Sequence, residues 1–102
     1  MVSTIDDIID KKYSGSEQGL KIFLKLDTQG NELNILKGAL HTLPLINAVL
    51  LEHIFATPYK SKYDFNDLIG FMYETGFICN GALSIEYATT GEVSVVDFLF
   101  TK

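Results

Sequence analysis

Apolar residues recur along this chain with two periods, and the switches between them lay out its elements. Ile5, Ile8 and Ile9 return at helical spacing, with Ser3 or Thr4 as a cap and Asp6 and Asp7 in the first turn, where acids suit the helix dipole. Residues 14–19, SGSEQG, read as a loop by composition. Over residues 20–26, LKIFLKL, the period drops to two: Leu20, Ile22, Leu24 and Leu26 line one face of a strand, and Phe23 sits between lysines on the other.

Helical spacing then resumes. Leu33, Leu36, Leu40 and Leu43 form one stripe, which predicts a helix running to Pro44 with Asn31 as its N-cap and Glu32 at the positive end of its dipole. Gly38 inside that helix costs about 1 kcal/mol against alanine, a cost that close approach of the helix to the sheet would explain. Residues 47–55, NAVLLEHIF, form a second strand that is apolar on both faces, as in a parallel sheet covered above and below. After the loop ATPYKSKY comes a helix capped by Asp64, striped by Phe65, Leu68, Ile69 and Met72, and ended by Gly76. Two strands, 77–88 and 92–101, close the chain as a hairpin turning at Gly91. Strands alternating with helices predict a parallel α/β sheet, and the hairpin adds one antiparallel strand.

Composition narrows the function. The 102 residues suit one domain, and 47% hydrophobic residues supply ample core. All 8 bases are lysine, against 13 acids, for a net charge of −5. Without arginine or a basic patch, neither a nucleic acid nor a membrane surface is an expected partner. The single cysteine, Cys79, excludes an internal disulfide, fits a reducing cytoplasmic setting, and reads as a small buried strand residue. The start has acids where a signal peptide would have bases.

In open parallel sheets ligands sit beyond the carboxyl ends of the strands. Two strands here finish on acids, the first at Asp27 and the second at Glu52 followed by His53. Neighbouring parallel strands would bring these three to one rim, where they could orient a hydroxyl, remove its proton, or hold a cation. Equally, Asp27 could satisfy backbone amides of its loop and Glu52 could pair with Lys25. His41 reads as a cation near a helix C-terminus, and Tyr59 and Tyr63 as aromatic loop packing that could also flank a substrate. Asp97 is unexpected in its apolar run and is placed facing solvent or a loop. No metal-binding or nucleophile-elbow motif occurs.

The stretch LKLDTQGNELNILKGA is similar to the signature of FkbM-type methyltransferases, roughly K-I-D-x-x-G-x-E-x-x-x-L-x-G-A. It matches at Lys25, Asp27, Gly30, Glu32, Leu36, Gly38 and Ala39. The resemblance continues through VLLEH (49–53), Pro58 and Tyr59, Gly76 and Phe77, and VDFLFTK (96–102). It implies a Rossmann-like, S-adenosylmethionine-dependent enzyme that methylates a hydroxyl of a sugar or natural-product-like acceptor. The strand order implied is 3-2-1-4-5-7-6. Asp27 would close strand 4 and, with Gly30, face the cofactor; Asp27, Glu52 and His53 would serve catalysis.

One departure stands out. The family's glycine-rich cofactor loop follows strand 1, and this chain has no such strand or loop. Residues 1–102 therefore read as the C-terminal half of the domain, strands 4 to 7, inactive alone. Right-handed crossovers would put both long helices on one face of the sheet. The other face and the edge of strand 20–26 would stay open to a missing N-terminal half or to self-association. The alternative reading is a non-catalytic interaction module.

Overall fold

A computed structural model describes residues 4–13, 22–27, 30–55 and 63–102. Leu20, the SGSEQG loop, Pro58 and Tyr59 lie outside the described residues. Helix α1 (Ile5–Tyr13) opens on a reciprocal cap. Asp7 N–H donates to Thr4 Oγ1 at 3.1 Å, and Thr4 N–H to Asp7 Oδ2 at 3.2 Å. Asp6, expected only to complement the dipole, does more. Its carboxylate accepts the His41 N–H at 2.9 Å, the Thr42 N–H at 2.8 Å and the Thr42 hydroxyl at 2.7 Å, tying α1 to a turn 35 residues away.

Strand β1 (Ile22–Leu26) leads to helix α2 (Glu32–Lys37), which ends nearly two turns earlier than its leucine stripe predicts. At Gly38 the ladder closes on the carbonyls of Asn34 and Ile35, and a 3-10 turn, Leu43–Leu45, returns Leu43 to the core. Leu40 is left exposed, and Ala39 is buried in its place. Gly38 does mark a close approach, but to α1 and not to the sheet. A Cβ there would lie 3.1 Å from Thr4 Cβ, and the Gly38 carbonyl accepts the Asp6 N–H at 3.0 Å. Asn31 stands at the N-cap position, yet its side chain accepts from the Asn34 amide and caps no backbone group.

Strand β2 (Ile46–Ile54) follows, then helix α3 (Phe65–Glu74). Gly76 ends α3 at φ +94°, where a side chain would be strained, so that Phe77 N–H reaches the Met72 carbonyl at 2.8 Å. Strands β3 (Ile78–Tyr87) and β4 (Val93–Thr101) complete the hairpin.

The sheet order is β1-β2-β4-β3, with β1 parallel to β2 and β4 antiparallel to both of its neighbours. The expected single antiparallel strand is thus β4. Leu33 and Leu36 of α2, Leu68 and Met72 of α3, and Leu26, Val49, Leu51 and Phe100 of the sheet form one buried cluster. Both helices therefore cover the same face.

The other face has no covering layer among the described residues. Phe23 is 59% exposed, and Leu50 and Leu99 are half-buried, so β2 is not covered on both sides as its sequence suggests. Every residue of β3 is exposed, Cys79 included, which corrects its reading as a buried side chain. No helix among the described residues is long and apolar enough to cross a membrane.

Candidate active site

The carboxyl ends of β1 and β2 stop at the same edge. Leu26 lies opposite Leu51 in the parallel ladder, and one step further along each chain stand Asp27 and Glu52. Successive strand residues point to opposite faces. Glu52 therefore projects to the open face, and its neighbour His53 projects to the helices. The Cα partner of Glu52 in β4 is Asp97. Lys25, Asp27, Glu52 and Asp97, with Leu26, Leu50 and Leu51, line a hollow of about 70 Å³ on this open side, room for several waters.

Asp97 was not anticipated as part of this group. It lies on the open face, as an outlook onto solvent requires, but in a strand paired on both sides and directly across from Glu52. Ser84 of β3 donates its hydroxyl to Asp97 Oδ2 at 2.7 Å. Two carboxylates set across a ladder repel. Burial, and then the negative charge of Asp27, Asp97, Glu32 and Glu86, push the Glu52 carboxyl above its ordinary value. A carboxylate with raised proton affinity is a stronger proton acceptor than a free one.

His53 stands apart from the carboxylates. It is 2% exposed, on the helix side of the sheet. Its ring centroid lies 4.4 Å from that of Phe55, 5.1 Å from Tyr63 and 5.2 Å from Phe65. The sheet itself separates His53 from Asp27 and Glu52, so the expected trio resolves into a carboxylate group on one face and an aromatic-packed histidine on the other.

Gly30 stands two residues before α2. It is buried with φ +109°, a conformation that glycine adopts without strain. Its N–H points inward to Glu32 Oε1 at 3.1 Å. Glu32 is fully buried and also accepts the Tyr63 hydroxyl at 3.1 Å. Among the described residues, no three of His, Cys, Asp and Glu converge to hold a metal ion.

No curated protein and no solved structure matches the chain. The model of the methyltransferase FkbM domain matches residues 1–79, from α1 through the first residues of β3, and the rest of the hairpin lies beyond the match. The matched stretch contains the β1 end with Asp27, the Gly30 turn, the buried Glu32 and the β2 end with Glu52. On that match, which spans most of its length, the chain belongs to the FkbM methyltransferase family, whose membership implies S-adenosylmethionine-dependent methyl transfer.

Proposed function

We propose that residues 1–102 are the C-terminal half of a Rossmann-like O-methyltransferase domain, with Asp27 and Glu52 on its acceptor side. The observation that carries this is the strand order. Taken as strands 4 to 7 of the fold, β1-β2-β4-β3 reads 4-5-7-6, an unbroken stretch of 3-2-1-4-5-7-6. The single helix layer agrees with it, since the opposite face is left for elements belonging to strands 1 to 3.

S-adenosylmethionine does not fit the described residues by themselves. Nucleotide-type ligands occupy the crevice where strand order reverses, and here both parallel strands lie to one side of any such point. The Gly30 amide is turned inward to Glu32. Gly76, Gly81 and Gly91, the other glycines with positive φ among the described residues, lie at the end of α3 and in the hairpin.

The cofactor, when bound by a complete domain, supplies an electrophilic methyl group. What these residues contribute is on the side of the acceptor, a small molecule or glycan. Asp27, exposed at the rim, orients the acceptor hydroxyl. Glu52 accepts its proton, with an affinity raised by burial and by its acidic neighbours. Replacing Glu52 with Gln or Asp27 with Asn in the complete domain is expected to lower turnover about 10²–10⁴-fold with little change in melting temperature. Equal losses of activity and melting temperature would make these residues structural.

A second reading, a non-catalytic module that self-associates or docks on a partner, draws on the hairpin. Leu83 is 62% and Tyr87 63% exposed, on an edge strand with no lysine or proline to discourage pairing. Sedimentation separates the two readings. A half-domain gives a compact one-to-one complex once the strand 1–3 half of an FkbM domain is supplied, whereas a self-associating module stays a homo-oligomer.

A further inference from the structure

The buried Glu32 side chain joins two residues from different parts of the chain: it accepts from Gly30, just before α2, and from Tyr63, just before α3. Tyr63 is itself anchored, with its ring packed at 5.1 Å against His53 on the helix side of β2. Asp27 stands three residues before Gly30, fixed on its other side by the pairing of Leu26 with Leu51.

We propose that the Tyr63–Glu32–Gly30 chain of hydrogen bonds is a latch that places the Asp27 carboxylate beside Glu52, making Glu32 and Tyr63 positioning residues for the acceptor-side carboxylates. Asp27 lies between two fixed points, Leu26 in the ladder and Gly30 at the latch, which limits where its carboxylate can go. A carboxylate with no exposure is a poor choice for plain packing, because an apolar side chain would fill the space without needing donors. Its position is explained by what it grips: an inward-turned glycine amide that only a left-handed loop conformation can offer, and a hydroxyl 31 residues further on. The His53 ring backs Tyr63 from the strand, and Phe65 of α3 packs in turn against His53. His53 thereby acts through the latch rather than at the reacting hydroxyl.

This inference rests on the reading of Asp27 and Glu52 as the acceptor-side carboxylates, but its test uses no methyl transfer. The Tyr63→Phe variant removes one hydroxyl and keeps the ring. Carboxyl-carbon NMR of the 102-residue chain follows the titration of Glu52, and amide hydrogen exchange follows Gly30. Tyr63→Phe is expected to speed Gly30 exchange at least tenfold and to lower the Glu52 midpoint toward that of Asp27→Asn, which marks complete loss of the Asp27 charge. Amides of Leu51 and Phe98 should remain protected, since the core is untouched. Glu32→Gln is expected to speed Gly30 exchange likewise; it is read by exchange alone, because the Glu32 charge itself acts on Glu52. Unchanged Gly30 exchange in both variants would overturn the latch. Faster Gly30 exchange with an unmoved Glu52 midpoint would show that the latch orders its own turn without placing Asp27, and would overturn the positioning role.

Discussion

The two faces of one sheet differ more than any two elements of this chain. On the helix side Val49, Leu51 and Phe100 have no exposed surface, and a histidine is buried among aromatic rings. On the open side the same strands present half-buried Leu50 and Leu99, an exposed Phe23, and the carboxylates Glu52 and Asp97. The backbone is common to both, so the difference comes from alternation alone. One face carries the core; the other, on the proposed function, is where the rest of the domain and the acceptor would sit.

Adjacent leucines on β2 offer the sharpest way to break that comparison. Leu51→Ala, on the covered face, should cost about 2–5 kcal/mol in a denaturant melt, since it removes buried methylenes and leaves a cavity. Leu50→Ala, one residue away on the open face, should cost about 1 kcal/mol or less. Equal costs would mean that the open face is covered in solution, which a sedimentation measurement on the same sample would then have to show.

The Asp6 anchor predicts the next largest effect. Burial would raise its pKa, but hydrogen bonds from the His41 backbone, the Thr42 hydroxyl and the Thr42 backbone outweigh that and hold it below its ordinary value. A carboxyl depressed in the folded state contributes stability above its unfolded pKa and loses it as pH falls through the folded one. Asp6→Ala should therefore cost about 1–2 kcal/mol at pH 7 and progressively less in acid, as read by urea midpoints across pH.

Glu52 carries the opposite sign and a smaller effect. Its folded pKa is raised, so the folded state holds the proton more tightly than the unfolded state does. Stability contributed by that proton is present in acid and fades as pH rises through the folded pKa. Glu52→Gln should remove this slope and leave the chain slightly more stable than wild type at neutral pH, by well under 1 kcal/mol given how exposed the group is. A variant less stable at neutral pH would show that the Glu52 charge is better satisfied than its acidic surroundings allow.

Much of this was legible in the sequence, because hydrophobic period and turn chemistry are local. Ile22–Leu26, Ile46–Ile54, the α3 stripe and the Gly91 turn all formed where their patterns placed them. What failed depended on partners distant in the chain. The leucine stripe of α2 ran on past Gly38, but Thr4 and the Asp6 carboxylate seized that turn from outside and ended the helix. Asp97 looked out of place in an apolar run because its relation to Glu52 and Ser84 exists only once the hairpin sets the register. The placement of His53 was legible too, because two consecutive strand residues point to opposite faces and Glu52 takes the open one.

Cofactor binding separates a half-domain from a complete one most directly. Calorimetric titration of the 102-residue chain with S-adenosylmethionine should give no saturable heat into the millimolar range. A carboxylate rim without a backbone cradle gains too little to offset the loss of ligand freedom, which is about 4 kcal/mol or more. Supplying the strand 1–3 half of an FkbM domain, to pair with β1 and cover Phe23, Leu50 and Leu99, should restore binding. Stoichiometric micromolar binding by the chain alone would contradict the account, because the cofactor site would then lie within these residues.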